Sequence, residues 1–306
     1  MPELPEVEVV RRGIEPYCGE WVIDRVDVFD SRALKRHPGP VEEFIQVLTG
    51  ATLQGALRRG KYLWFPLSRD GKDEGRALLC HLGMSGQLLL GESAEQFGPL
   101  LRVTLSLRHP DGRDMMIGFV DQRLFGSLAI DALVDTGVSH PAGHGGEDPR
   151  IPGQAAHIAR DPLDPRSDDK ALTTRLRSRR TGIKRALLDQ GLISGVGNIY
   201  ADEALWATKL HYDYPADKLR PAVVRELLAN VRDVFSRALQ EGGTSFDWQY
   251  VNVNGQSGYF SQSLNAYGQD GRACPRCGRT IVREPFMNRS SFRCPRCQPR
   301  PRQRVS

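Results

Sequence analysis

The sequence has no apolar run that approaches the roughly 18 residues needed to cross a bilayer as a helix. Its first six residues, MPELPE, are acidic and rich in proline, unlike the basic and then apolar start of a secretory signal peptide. Hydrophobic residues make up 40% and charged residues 26% of the 306 positions, which excludes a disordered or collagen-like chain. We therefore expect a cytoplasmic globular protein with two domains and room for a small third.

Acidic residues are almost missing from two stretches of the chain. Residues 272–306 contain ten arginines, no lysine and one acid, Glu284, so this segment carries +9 although the whole chain carries only +5. Residues 175–185 hold six basic residues and no acid. Two basic patches on an otherwise acidic chain favour a polyanionic partner. Two solvated basic faces without a partner would give the same counts.

The first 130 residues are rich in short runs of strand-forming residues separated by turns. One helix is expected at 5–14, and the Asp111-Gly112 pair favours a hairpin turn. Many short strands predict an antiparallel sandwich or barrel. The expected strands are 21–29, 62–67, 77–82, 87–90, 102–107 and 115–120.

The pattern changes after residue 130. Residues 131–170 contain five prolines and five glycines, which is typical of a linker with irregular loops. Helical periodicity follows, and its clearest helix spans 221–241, with a proline in its first turn and two glycines at its end. These patterns predict five segments: a domain at 1–135, a linker at 136–168, a helical domain at 169–262, a cysteine-containing module at 263–298, and a disordered basic tail at 299–306.

Cysteine is scarce, and four of the six cysteines form two CxxC pairs. The pairs are separated by 16 residues, and their members are Cys274, Cys277, Cys294 and Cys297. Two such turns complete a tetrahedral Zn²⁺ site, and four protein ligands make the metal structural. Two disulfides are the rival interpretation, which a reducing cytosol disfavours.

A glycine-rich turn precedes a predicted helix at residues 195–203, GVGNIYADE. Asn198 is a plausible N-cap there, and free N–H groups at a helix N-terminus bind anions such as phosphate. Most such turns only connect helices. The basic stretch at 175–185 nevertheless makes a clamp on the DNA backbone an attractive hypothesis.

The second residue suggests a reactive N-terminus. Methionine is normally removed when a small residue follows it, so the mature chain is expected to begin with Pro2. Its secondary amine can attack an aldehyde-like carbon and form an iminium, and Glu3 can move protons beside it. An unremarkable N-terminus is the alternative from this pattern alone.

Motifs along nearly the whole chain resemble the bacterial formamidopyrimidine-DNA glycosylases (Fpg or MutM proteins). The four-cysteine module is one of them. The others are 1–8 (MPELPEVE), 59–63 (RGKYL), 81–86 (HLGMSG), 121–126 (DQRLFG), 195–203 (GVGNIYADE) and 255–260 (GQSGYF). The resemblance implies a multidomain α+β fold, in which an N-terminal antiparallel β-sandwich with flanking helices precedes a helix–two-turn–helix domain and a C-terminal zinc-binding β-hairpin. Damaged double-stranded DNA would lie in the cleft between the domains.

The resemblance also implies a bifunctional DNA glycosylase and AP lyase of base excision repair that removes 8-oxoguanine and formamidopyrimidines. Pro2 would attack C1′ of the damaged nucleotide, and Glu3 would serve as general acid and base. Lys61 matches the lysine linked to β-elimination on the 3′ side. Arg289 matches the zinc-finger arginine that binds phosphate and is assigned to δ-elimination on the 5′ side.

Six further residues match DNA-contacting positions of the family. Met84, Arg123 and Phe125 would fill the space left by the flipped nucleotide, with Arg123 meeting the orphaned cytosine. Core packing is the alternative for Met84 and Phe125, since both lie in strand-like segments. The phosphate-contacting positions are Arg179, Lys184 and Asn198, and residues 244–254 correspond to the loop over the flipped base.

One position departs from the family pattern. Leu100 stands where many members carry a DNA-contacting histidine, so that contact is lost or taken over by Arg102. Two alternative functions remain: an endonuclease VIII-like glycosylase for oxidised pyrimidines, which usually has glycine where Leu4 stands, and a non-catalytic zinc-ribbon DNA-binding protein. We expect a monomer with one zinc ion and no membrane partner, associated with the nucleoid through DNA.

Overall fold

The computed structural model describes residues 2–243, 253–254 and 260–301. The chain forms two compact units, Met1–His157 with Gly242–Gly258, and Ile158–Glu241 with Tyr259–Ser306. Among the described residues, no helix combines the length and the apolar character that a membrane crossing requires. Most of the predicted loop at 244–254 and of the motif at 255–260 lies outside the described residues, as do tail residues 302–306.

The first unit is built on a ten-stranded antiparallel sheet with two α-helices. The helices are α1 (Leu4–Ile14) and α2 (Val41–Leu48). The strands are β1 (Val22–Val28), β2 (Thr52–Leu53), β3 (Leu57–Arg59), β4 (Tyr62–Arg69), β5 (Lys72–His81), β6 (Gly86–Gly91), β7 (Leu101–Arg108), β8 (Asp114–Asp121), β9 (Ser127–Asp135) and β10 (Arg150–Pro152). They follow the order β10-β9-β5-β4-β2-β1-β7-β8-β6 in the sheet, and β3 pairs with β4.

Strands from both halves of this sheet bury their apolar side chains in one core. Phe65 on β4 and Leu78 on β5 share it with Leu88 on β6 and Ile117 on β8. A sheet whose two halves face the same core is folded over on itself, which confirms the predicted antiparallel β-sandwich.

The differences from the expected strands follow from pairing. Strand β5 begins at Lys72, five residues before its apolar run, because it forms a hairpin with β4 in which Arg69 pairs with Lys72. Strands β2 and β3 have only two and three residues, too few to show a period of two. Strand β10 lies in the segment expected to be a linker, and it pairs with β9. Residues up to His157 therefore belong to the first unit.

The second unit combines four α-helices with a two-stranded hairpin. The elements are α3 (Asp169–Arg177), α4 (Ile183–Leu187), α5 (Asn198–Ala207), α6 (Pro221–Gln240), β11 (Val282–Phe286) and β12 (Arg289–Arg293). Helix α6 buries the apolar face that its sequence predicts, and its Phe235 ring lies 5.2 Å from the ring of the fully buried Tyr200 on α5. The hairpin depends on additional support, because its own core cluster has only four buried residues, two of them cysteines.

Candidate active site and nucleic-acid interface

The two predicted catalytic residues at the N-terminus lie at the start of α1. Pro2 is buried and Glu3 is completely shielded from solvent. Glu3 and Glu6 form a capping box, in which the Glu3 carboxylate accepts from the backbone N–H of Glu6 and the Glu6 carboxylate accepts from the backbone N–H of Glu3 at 2.8 Å. The carboxylate next to Pro2 is therefore held in a fixed orientation at the positive end of a helix.

A buried ion pair joins α1 to the turn that carries Lys61. Glu8 Oε2 lies 2.9 Å from Nε of Arg58, and both side chains are almost fully buried. Arg58 also donates to the backbone oxygen of Gly60 at 3.2 Å. Burial would raise the pKa of Glu8, but hydrogen bonds from His144 and Arg11 and the charge of Arg58 hold it well below its usual range. This carboxylate remains charged and fixes the Lys61 turn relative to Glu3.

Lys61 lies in the tight turn between β3 and β4. Gly60 adopts the left-handed conformation there, with φ of 58°. Lys61 belongs to a cationic cluster with Lys35 and Arg36 around His81. Burial and these three charges lower the pKa of His81 to about 4, so the ring is neutral at physiological pH. Its Nδ1 accepts from the backbone N–H of Gly83 at 3.1 Å.

Met84, Arg123 and Phe125, the three residues predicted to fill the space left by the flipped nucleotide, are called the wedge residues below. All three are on the surface of the first unit. Met84 is 46% exposed and Phe125 is 43% exposed, so neither side chain packs in the core. The guanidinium carbon of Arg123 lies 4.5 Å from the centre of the Phe125 ring. Exposed apolar side chains beside a cation are typical of a contact surface.

Arg102 is occupied by the protein itself. Its Nε donates to the backbone oxygen of Asp121 at 2.9 Å, and its terminal nitrogen lies 3.6 Å from a carboxylate oxygen of Asp30. Leu100 accepts a backbone hydrogen bond from Asp121 at 3.1 Å. These bonds hold the Arg102 guanidinium against the protein. They disfavour the alternative that Arg102 takes over the DNA contact of the histidine that Leu100 replaces.

Asn198 has a different local role from the predicted one. It is the first residue of α5, and Gly197 occupies the N-cap position. The Asn198 side-chain nitrogen donates to the backbone oxygen of Ser290 on β12 at 2.9 Å. Its Oδ1 is buried and has no hydrogen-bond partner within the described residues. The prediction of an N-cap was therefore wrong, because the side chain is turned toward the hairpin.

Lys184 is not a surface residue. Its ammonium is fully buried and lies 2.7 Å from Oδ1 of Asp202. Burial raises the pKa of Asp202 to about 6 against the opposing effects of Lys184 and of hydrogen bonds from Phe292 and Ser291. The prediction that Lys184 contacts phosphate therefore conflicts with the structure, in which its ammonium is buried and paired with Asp202. Arg179 lies at the surface and donates to the carboxylate of Asp189 at 3.2 Å.

The four paired cysteines form one cluster in the second unit. Their Sγ atoms all lie within 4.8 Å of one another, which fits four thiolates at about 2.3 Å from one Zn²⁺ ion. Trp206 Nε1 donates to Cys274 Sγ, and the Cys297 backbone N–H donates to Cys294 Sγ, both at 3.4 Å. Such outer bonds orient thiolate ligands.

The hairpin presents Arg289 at its tip. Phe286 pairs with Arg289 across a two-residue turn of Met287 and Asn288, and Arg289 is exposed. Sequence reasoning did not find Glu8, Asp121 or Asp202 as supports of the site. All three stand inside recognised motifs, which was the available signal. Their supporting roles depend on partners distant in sequence, 50 positions away for Glu8 with Arg58 and 18 for Asp202 with Lys184.

Three family models match the chain. They are the formamidopyrimidine-DNA glycosylase N-terminal domain at residues 1–128, the formamidopyrimidine-DNA glycosylase H2TH domain at 158–249, and the zinc finger found in FPG and IleRS at 271–300. The formamidopyrimidine-DNA glycosylase of Leifsonia xyli is 56% identical, with 97% of this chain and 99% of that protein covered. The Nocardioides protein of the same name is 54% identical, with 99% and 96% covered.

Solved structures give the same result. The Lactococcus lactis Fpg bound to DNA with an abasic site matches with a TM-score of 0.79 and 27% identity, covering 97% of this chain and 100% of that one. The wild-type Lactococcus lactis enzyme bound to DNA with an oxidised pyrimidine matches with a TM-score of 0.78 and 28% identity, covering 98% and 100%.

The fold and the site together define a DNA-repair enzyme with a structural zinc finger. The four cysteines hold one zinc ion, and the ion stabilises the hairpin that carries Arg289. The chain belongs to the formamidopyrimidine-DNA glycosylase family.

Proposed function

We propose that this chain is a bifunctional DNA glycosylase and AP lyase of base excision repair that removes oxidised purines, 8-oxoguanine and formamidopyrimidines, from duplex DNA. The observation that carries the proposal is the arrangement at the start of α1. Pro2 directly precedes a carboxylate, Glu3, which is buried and oriented by a capping box. An amine beside a fixed proton donor and acceptor is the apparatus that iminium chemistry requires.

The first step is nucleophilic substitution at the sugar. After removal of Met1, the amine of Pro2 forms a bond to C1′, and the glycosidic bond breaks so that its electron pair leaves with the base. The Pro2 nitrogen then passes its N–H proton to Glu3, and Glu3 delivers a proton to the ring oxygen as the bond between C1′ and that oxygen breaks, which leaves an iminium between Pro2 and C1′. The substrate is then bound covalently to the amine of Pro2.

Two eliminations follow from the iminium. Loss of a proton from C2′ expels the 3′ phosphate, and Lys61 assists this β-elimination. Arg289 binds the remaining 5′ phosphate, because a guanidinium meets phosphate oxygens in a bidentate way, and favours its departure by δ-elimination. The DNA product is a one-nucleotide gap, and hydrolysis of the remaining iminium by water releases the sugar fragment as an aldehyde and restores the Pro2 amine.

Recognition of the lesion uses both units. Met84 and Phe125 enter the base stack, and Arg123 hydrogen-bonds the cytosine whose partner has been flipped out. In the second unit, Arg179 and Asn198 contact phosphates. Lys184 supports this DNA-contacting surface indirectly, through its buried ion pair with Asp202. We further propose that the enzyme acts as a monomer on damaged DNA in the cytoplasm, at the nucleoid.

Oxidised pyrimidines are the second candidate substrate. The complex of the Lactococcus lactis relative with oxidised-pyrimidine DNA favours this extension. The Leu4 position, where endonuclease VIII-like proteins usually carry glycine, favours purines. A non-catalytic DNA-binding protein would need neither Pro2 nor the buried Glu3.

Borohydride trapping tests the proposal. A duplex with 8-oxoguanine opposite cytosine should yield a reduced, permanent protein–DNA cross-link, and a chain with a blocked Pro2 amine should yield none. Pro5→Ala, which changes another proline of the same helix start, is the matched control and should still cross-link. Absence of a cross-link overturns covalent catalysis, and a cross-link that survives the Pro2 block overturns its assignment. Faster trapping on duplexes with oxidised pyrimidines would favour the second candidate.

A further inference from the structure

The turn between β8 and β9 is organised around one buried carboxylate. Asp121 is the last residue of β8, and it is fully shielded from solvent. Its Oδ1 accepts from the backbone N–H groups of Arg123 and Leu124 at 3.1 and 3.0 Å, and its Oδ2 accepts from Gly126 N–H at 2.7 Å. Three donors from a single turn fix the path of the chain from Arg123 to Phe125.

The same carboxylate binds the segment that carries Met84. Ser85 Oγ donates to Asp121 Oδ1 at 2.5 Å. The backbones also meet directly, since a Cβ on Gly83, which has φ of 61°, would lie 2.3 Å from the carbonyl carbon of Phe125. These contacts hold the Met84 segment and the turn after β8 together, although Ser85 and Asp121 are 36 positions apart in the chain.

Leu124 adopts a backbone conformation that ordinary residues rarely take. Its φ is 54°, in the left-handed region, and its carbonyl oxygen accepts from Lys35 Nζ. This turn lets the side chains on either side of Leu124 meet, with the Arg123 guanidinium over the Phe125 ring. Left-handed non-glycine residues persist only where surrounding contacts hold them, and they cluster at functional sites.

We propose that Asp121 is a positioning residue that presets Met84, Arg123 and Phe125 as one rigid wedge, and that it thereby governs flipping of the lesion and selection of the opposite base. The inference rests on the proposed function. A wedge held before DNA arrives pays no ordering cost during insertion, and small displacements of such groups lower rates sharply. Asp121 touches no reacting atom in this role.

Asp121→Asn tests the role with little change in volume. An amide keeps one oxygen, so it cannot accept all four hydrogen bonds, and its NH₂ group must face a donor. Ser85→Ala is the milder variant, because it removes only the bond between the Met84 segment and the turn. Asp168→Asn is the matched control, because Asp168 also accepts two backbone N–H groups, at the start of α3 in the other unit.

Single-turnover base excision is measured with 8-oxoguanine opposite cytosine and opposite adenine, and strand cleavage is measured at a preformed abasic site. In Asp121→Asn, excision opposite cytosine should fall by about tenfold or more and the preference for cytosine should shrink, because hydrogen bonds to a carboxylate are lost. Cleavage at the abasic site should stay within about threefold, since no base has to be extruded. Ser85→Ala should shift the same preference to a smaller extent.

The proposal is overturned if the three rates fall in parallel with the preference for cytosine intact, or if Asp121→Asn matches Asp168→Asn in all of them. If Asp121→Asn does not fold, an unchanged cytosine preference in Ser85→Ala overturns it instead. Failure of the proposed function is distinguishable, because the unaltered chain would then excise no 8-oxoguanine at all.

Discussion

Lys184 and Asp202 form a buried ion pair, with Nζ and Oδ1 separated by 2.7 Å and neither side chain more than 1% exposed. Asp202 also accepts from Ser291 Oγ at 2.8 Å and from the Phe292 backbone N–H at 2.9 Å. The pair therefore joins α4, α5 and β12, the strand that begins at Arg289. The helical elements and the arginine tip of the zinc finger belong to one packed structure because of this junction.

Lys184→Met should lower the free energy of unfolding by about 3–5 kcal/mol, because it leaves the buried carboxylate of Asp202 without its cation. The salt dependence of DNA binding should not change, since Lys184 is not at the surface. Arg289→Ala is the comparison and should lower the slope of log affinity against log salt by about one phosphate contact. Chemical denaturation and binding titrations at several salt concentrations measure both. An equal loss of slope in Lys184→Met would mean that Lys184 does reach phosphate.

Arg289→Ala should also change the products of strand cleavage. The β-elimination product should accumulate while the one-nucleotide gap forms more slowly, by roughly tenfold if one charge-assisted phosphate contact is lost. Gel separation of the cleaved strands measures the ratio over time. Arg279→Ala removes another exposed arginine of the same module and should leave the ratio unchanged. An unaltered ratio in Arg289→Ala would contradict the assigned role.

Cys294→Ser should abolish stoichiometric zinc binding and unfold the hairpin, because the module has too small a core to fold without its metal. Affinity for undamaged duplex should fall by about tenfold or more as the Arg289 contact and its neighbours are lost. Metal analysis and binding titrations test this together. Cys18→Ser changes a half-buried cysteine of the first unit and should retain zinc. Full affinity without zinc would exclude the hairpin as a DNA clamp.

Stability should depend on pH through His81, whose pKa is lowered from 6.5 to about 4 by burial and by the charges of Arg36, Lys61 and Lys35. The unfolded chain takes up a proton as pH falls below about 6.5, whereas the folded chain does so only near 4. This contribution is therefore present above pH 6.5 and is lost as pH falls toward 4, with a slope of up to about one proton. His81→Gln should remove that slope from unfolding curves recorded at pH 4.5 to 7. Identical slopes would show that His81 is not the group responsible.

Several parts of the site could be predicted because their signals are local. The helix at the N-terminus begins at Leu4 rather than Pro5, and α6 ends at Gln240 rather than Glu241. The four cysteines identify their own metal because CxxC spacing places two thiolates in one turn. Whether Met84 and Phe125 face the core or the solvent could not be settled by strand periodicity, because both lie in turns beyond the ends of strands.

Local patterns were enough to predict the strand-rich first part, the helical second part and the zinc ligands, and to suggest the proposed reactive start at Pro2 and Glu3, because each depends on residues within a few positions of one another. Which charges are buried, and which segments they hold together, became known only from the packing of distant segments. Ser85 reaches Asp121 across 36 positions, and Ser291 reaches Asp202 across 89. Burial and long-range hydrogen bonds arise only when distant segments pack, and they turned Lys184 from an expected phosphate contact into a structural ion pair.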